Sequence, residues 1–431
     1  MRQLLADKVS GSLMGSWLLV PELLSLGVWD LVCGWTGQSQ DRVEPRLALQ
    51  LINEAALCVT GLRQQRTLSQ RGFEVACGLP FIATDQAIHD LLAAHTVHEA
   101  QELQVTLGQL RALHGHFSGQ VLAIDPHRIR SYSKRQMRRF QHKDHPSPQK
   151  RAQTFFCLDA DTGQPLAFTT ATASRTVAQA TPGLLDLTAR ILRPQGPRPL
   201  VLADTEHVSD ELFRHVVNDT PFDLLTPQAR RKSTQRQFAA LSPESWTPRW
   251  AGYATQVRPY HFAHSDQSLY QFLQRTGETP ATYDYKAFVC TAARDEVDAL
   301  TLDFPKRWHI EEFFHDHQHL GWNRAGTQNL NIRYGQMSMA LVAQAALHEL
   351  RRRLAKPCTT WDAQHLARHL LAGLDGDLRV YGDTILVTFY NAPNVQLLRQ
   401  HYEDLPQKLE QRNIDPRVPW LYNFKLDFRF Q

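Results

Sequence analysis

No Cys-x-x-Cys pair occurs in this 431-residue chain; its six cysteines, Cys33, Cys58, Cys77, Cys157, Cys290 and Cys358, are scattered. That argues against a zinc ribbon or a disulfide framework and suits a reducing cytoplasm. Long hydrophobic runs are missing too. The most apolar stretch, Trp17 to Val32, is interrupted by Pro21, Glu22 and Asp30, so neither a membrane span nor a signal peptide is expected. There is no internal repeat, no low-complexity linker and no His-Glu-x-x-His motif. An excess of one charge is missing as well: 47 Lys and Arg against 43 Asp and Glu leave a formal net charge of +4, which by itself says little about partners. The remaining expectation is a soluble cytoplasmic protein, long enough for a substantial core and more than one domain.

Three carboxylates are the most informative residues present. Asp125 ends the apolar run Val121-Leu122-Ala123-Ile124, and Asp204 ends Leu200-Val201-Leu202-Ala203. Short apolar runs of this kind read as buried strands, and a carboxylate at the end of each is expected to project from a sheet edge. Glu311 lies in Phe304-Pro305-Lys306-Arg307-Trp308-His309-Ile310-Glu311, where Pro305 suits the first turn of a helix. Two strand-end acids and one helix acid can hold a pair of divalent cations for phosphoryl displacement. Neighbouring acids leave alternatives: Glu206 shares a strand face with Asp204 at period two, and Glu312 adjoins Glu311. Asp159 and Asp161 read as turn residues.

The order and context of these residues resemble a DDE transposase of the bacterial insertion-sequence type, over roughly residues 120 to 350. That family carries a YREK signature: Tyr, two residues, Arg, three residues, Glu, six residues, Lys. Arg307 and Glu311 match it in identity and spacing, whereas Phe304 stands at the Tyr position and Gln318 at the Lys position. The resemblance continues through Asn323-Arg324-Ala325-Gly326 and Leu330-Asn331-Ile332-Arg333-Tyr334-Gly335. It implies an RNase H-like core with a β-rich insertion, and cleavage and joining of DNA at transposon ends; the apolar spacing before residue 118 and the interleaved strands and helices after it complete an α/β reading, an RNase H-like mixed sheet flanked by helices with a helical N-terminal domain. It also implies two Mg2+ ions, replaceable by Mn2+, held by Asp125, Asp204 and Glu311. The implied partners are double-stranded DNA, both transposon terminal inverted repeats and target DNA, bound by a homodimer. An RNase H-like nuclease without joining activity and a noncatalytic transposase-derived DNA-binding protein are the alternatives.

Candidate DNA contacts follow. Between Arg128 and Arg151 lie nine Lys and Arg residues, including Lys134, Arg135, Arg138 and Arg139, interrupted by the single acid Asp144. Phosphate contact is the better reading of that run, and a solvated loop the alternative. His127 and Arg128 follow Asp125 closely enough to touch a scissile phosphate. Arg307 would hold a phosphate near the site and Gln318 and Arg324 would face DNA; Trp246 and Trp250 could stack on an unpaired base, although as lone residues they read more readily as core or interface aromatics. His315, His317 and His319 read as a polar or DNA-facing helix surface rather than a zinc site.

The domain reading places a helical region at 1–118, with a possible helix-turn-helix near Thr67 to Pro80. The first part of the catalytic core occupies 119–225, the insertion 226–303, and the catalytic helix region 304–356. Residues 357–431 are left for dimerisation or DNA contact.

Overall fold

A computed structural model describes residues 8–39, 41–59, 68, 70–131, 139–140, 147–171, 175–263, 265–322, 327, 329–354, 356 and 358–431. The chain divides into two compact units, residues 112–314 and a second formed by 1–111 together with 315–431.

In the first unit the strands are β1 (Val121–Arg130), β2 (Arg139–Phe140), β3 (Gln149–Asp159), β4 (Gln164–Ala171), β5 (Leu200–Leu202), β6 (Asp223–Pro227), β7 (Thr247–Trp250), β8 (Tyr253–Tyr260), β9 (Leu269–Thr276) and β10 (Asp284–Cys290). They form one mixed sheet in the order β2-β3-β1-β5-β6-β10-β9-β8-β7, with β4 also on β3. The central strands β1, β5 and β6 are parallel. Val121 to Ile124 and Leu200 to Ala203 are buried, which is why these strands read as unbroken apolar runs rather than alternating ones. Strands β3 and β4 add antiparallel on one side of β1. On the far side β10 pairs antiparallel with β6, Cys290 opposite Leu225, and β9 and β8 follow. The segment 226–303 is therefore β-rich, as its sequence suggests, but its strands continue the central sheet.

Helix α1 (Val177–Leu192) packs on β3 and β4, burying Val177, Ala180, Leu184, Leu185, Leu187 and Ile191. The sequence suggests a start at Pro182. The helix instead begins five residues earlier, because Thr176 and Gln179 form a capping box and Pro182 is carried inside. Helix α2 (Asp210–Asp219), capped by Ser209, and helix α3 (Lys232–Ala239) follow. A helical run then begins at Glu296, passes through a π turn (Ala299–Asp303) and a 3-10 turn (Phe304–Trp308), and becomes α4 (His309–His317). Pro305 is thus inside a longer run rather than at its start.

The second unit packs helices Glu44–Ala56 and Asp85–Ala94 against the long helix Leu330–Arg353. The sequence assigned this last helix to the catalytic core; its residues from Ile332 to Leu350 are buried almost without interruption, and the residues it packs on belong to the N-terminal segment. A five-stranded sheet completes the unit, in the order Val9–Gly11, Gly376–Tyr381, Thr384–Phe389, Phe424–Phe430, Arg417–Val418. Gly382, with φ +59°, supplies the turn of its hairpin. Thr67 and Ser69 of the possible helix-turn-helix lie outside the described residues, as do Arg63 and Arg66, which that motif would place near phosphates. The helix that follows, Arg71–Ala76, is only six residues long, and its backbone accepts hydrogen bonds from the buried Trp17 and Trp420 indoles.

All six cysteines are free. Among the described residues no single helix is long and apolar enough to cross a membrane. One sharply bent pair, Met14–Ser25 and Val28–Thr36, passes by length and composition, and it is mostly buried.

Candidate active site

Asp125 is not at the end of its strand, as the sequence suggests. Strand β1 runs on to Arg130, paired with β3 throughout, but its ladder with β5 stops at Ala123 opposite Leu202. Asp125 thus stands mid-strand, two residues past the last β1–β5 pair, where the parallel part of the sheet opens beyond the carboxyl end of β5, the kind of place where α/β sheets usually leave a crevice. Its carboxyl is pushed up to about 7, first by burial and then by the negative charges of Asp204 and Glu311; Arg307 and Arg128 oppose the shift.

Asp204 follows β5 and caps a single 3-10 turn, Thr205–His207. One of its oxygens, Oδ1, accepts from the Glu206 backbone N–H at 2.9 Å and lies 2.7 Å from Nδ1 of His207, whose ring is buried. Burial works against ionisation here too, but the His207 contact and the backbone bond outweigh it and hold the carboxyl below its ordinary value. The turn sends Glu206 outward. Both its oxygens are taken by the Arg128 guanidinium, so it stands apart from Asp204 instead of sharing a strand face with it.

Glu311 is in the first turn of α4, between Ile310 and Phe313, which are buried. Two contacts anchor the start of this helix on the β3–β4 turn: His309 Nδ1 lies 2.7 Å from the Ala160 carbonyl, and Lys306 is 2.8 Å from Asp161. Asp159 is consumed by the same turn, accepting from Gly119, Thr162 and Ser118. Arg307 reaches Glu311 Oε1 at 3.1 Å with a largely buried side chain, and its charge also acts on Asp125 and Asp204. Its positive charge thus bears on all three acids, alongside that of Arg128 on Asp125 and Asp204.

The other sequence candidates disperse. The His127 ring stacks on Phe314 with centroids 4.6 Å apart, and burial lowers its pKa to about 4, so it is neutral. Trp246 is 5% exposed in a small core with Phe238, Ala254, Leu273 and Ala287, whereas Trp250 is 53% exposed and stacks on Tyr253. Arg139 is exposed in β2. Lys134, Arg135, Arg138 and Arg324 lie outside the described residues. Gln318 begins a 3-10 turn after α4 has ended, within the second unit. His207 and the Arg128–Glu206 pair were not singled out by sequence. An Asp-x-x-His spacing would have flagged His207, since a side chain three residues on can fold back across a single turn.

The three acids are hard oxygen donors, the kind that suits Mg2+, and Asp125 is crowded by like charge that a cation would relieve. Among the described residues no three His, Cys, Asp or Glu side chains converge closely enough to hold an ion as they stand. Glu311 is turned to Arg307 and Asp204 to His207. By chemistry the donor set suits a divalent cation, and Arg307 and His207 now hold two of its members.

Residues 116–345, more than half of the chain, match the family model described as Transposase DDE domain. No curated protein matches the sequence. Among solved structures, a cryo-EM structure of a piggyBac transposase synaptic complex with hairpin DNA is similar over 95% of this chain and 88% of that chain, at 11% identity and a TM-score of 0.42.

Proposed function

Because the chain belongs to the Transposase DDE domain family, we propose that it binds the ends of an insertion sequence, cleaves a DNA strand there and joins the 3′ end to target DNA. The observation that supports this reading is the setting of Asp125 beyond the last β1–β5 pair, where burial first, and then the negative charges of Asp204 and Glu311, push its carboxyl up to about 7. An RNase H-like core is supported by the strand order β4-β3-β1-β5-β6, three antiparallel strands followed by two that run parallel to β1.

Asp125, Asp204 and Glu311 would hold two Mg2+ ions, with Mn2+ able to substitute. Such a pair supplies stabilisation of the attacking and leaving oxygens in phosphoryl transfer. The chain's own residues prepare that site. His207 keeps Asp204 ionised, Arg307 neutralises Glu311, and the Asp161 and Ala160 contacts hold α4 against the sheet. The insertion-sequence assignment is supported by Arg307 and Glu311 at their signature spacing. Phe304, at the Tyr position, packs edge-on to Phe288 with centroids 4.9 Å apart, so the ring keeps a packing role without the hydroxyl.

The decisive test is metal-dependent cleavage of DNA carrying the element's ends. Asp125→Ala, Asp204→Ala and Glu311→Gln should each abolish Mg2+-dependent cleavage and retain end binding. Wild-type cleavage by any one of them removes that residue from the set. Cleavage without joining by the wild-type chain would identify a nuclease, and specific binding without cleavage a noncatalytic DNA-binding protein.

A further inference from the structure

Asp125 and Asp204 both lie beyond Ala123 and Leu202, the last pair of the β1–β5 ladder. Backbone pairing therefore does not set the distance between the two segments that carry them. Side chains span the gap instead. Arg128, three residues beyond Asp125, donates through both terminal nitrogens to Glu206, two residues beyond Asp204; its Nη1 lies 2.9 Å from Oε1. The same Glu206 donates its backbone N–H to Asp204 Oδ1, which also meets the buried His207 ring. One residue thus ties the Asp204 turn to both the carboxylate and the facing strand.

A partly exposed ion pair contributes little to stability, so its effect must lie elsewhere. A guanidinium fork bound to both oxygens of a carboxylate restricts orientation as well as distance, and lysine could not reproduce it. It also commits the Arg128 terminal nitrogens, which the sequence had offered to phosphate, and both oxygens of Glu206, which had stood as an alternative ligand. Resting on the metal-site reading above, we propose that Arg128 and Glu206 form a positioning clamp that fixes the separation of Asp125 and Asp204 for cation binding.

The test uses the full-length chain with Mn2+ as probe, its affinity measured by electron paramagnetic resonance. End-DNA binding is followed in parallel across a salt series. Arg128→Gln and Glu206→Gln should each weaken Mn2+ binding about 10- to 100-fold, the range seen when outer-shell partners of metal ligands are removed. The reversed pair, Arg128→Glu with Glu206→Arg, should recover most of that loss, and the DNA salt slope should stay at its wild-type value. Two results overturn the clamp. One is a reversed pair that binds Mn2+ no better than the single variants. The other is an Arg128→Gln variant with unchanged Mn2+ affinity and a salt slope flattened by about one unit, which would make Arg128 a phosphate contact. Asp125→Asn separates this from the underlying reading: if it binds Mn2+ as the wild type does, the metal site itself is misassigned and the clamp falls with it.

Discussion

Trp246 and Trp250 stand four residues apart, one just before β7 and one at its end, in opposite surroundings. The first is packed under Arg275 and beside Tyr285; the second lies flat on Tyr253 with its other face exposed. Trp246→Ala should cost about 3–5 kcal/mol of unfolding free energy in urea, the usual range for a buried aromatic. Trp250→Ala should cost about 1 kcal/mol or less. A base-stacking role is therefore open to Trp250 and closed to Trp246 in this conformation. A second residue, Asp377, predicts a pH effect. Burial opposes its ionisation, but Lys8 and Ser10, each 2.5 Å away, and the Tyr390 hydroxyl lower its pKa from about 3.8 to about 2. The folded-state value is depressed, so its stabilisation is complete above the unfolded value near 3.8 and is lost as pH falls toward 2. Asp377→Asn should then destabilise the chain at pH 6 and differ progressively less from wild type below pH 4, as read by urea unfolding at each pH.

At the scale of elements, Pro182 inside α1 removes the N–H that Ala178 would otherwise receive. Pro182→Ala should stabilise the chain by about 1–2 kcal/mol, below the ~3 kcal/mol intrinsic penalty because proline also restrains the unfolded state; a lower melting temperature would show that the proline is needed for packing. The strand that carries Asp125 and the strand that leads to Asp204 were legible in the sequence because both are buried on two faces and read as unbroken apolar runs. Hairpin Gly376–Phe389 was legible through Gly382 and Asp383. The pairing of β10 with β6 was not, since alternation marks a strand but not its neighbour. Nor was the contrast between Trp246 and Trp250, which depends on Phe238 and Leu273 folding over one of two similar side chains. Asp125 was found for a partly mistaken reason: its strand does not end there, its neighbour does. His207 and the pairing of Glu206 with Arg128 escaped because a strand was extrapolated past Ala203, where the chain actually turns.

At the scale of the whole molecule, the unit made from both chain ends is tied together by pairs distant in sequence. Val9–Gly11 pairs with Gly376–Leu378, and the buried Glu22 is held by Arg353 at 2.8 Å and by the Tyr402 hydroxyl at 2.9 Å. Deprived of Arg353 and Tyr402, Glu22 would be an uncompensated buried acid. Residues 112–314 expressed alone should therefore unfold in one cooperative transition, whereas 1–111 alone should lack cooperativity and gain it on mixing with 315–431. Circular dichroism during urea titration reads both outcomes, and a cooperative transition in 1–111 alone would contradict the second. The split unit also imposes a wait on the growing chain. Residues 1–111 leave the ribosome with the apolar segments Met14–Leu19 and Glu44–Ala56 already made, but the helix Leu330–Arg353 that packs on both lies beyond the 203 residues of the first unit. At about 5–20 residues per second that interval is roughly 10–40 s, long enough for a chaperone rather than the protein's own fold to be the first shelter of its N-terminal half.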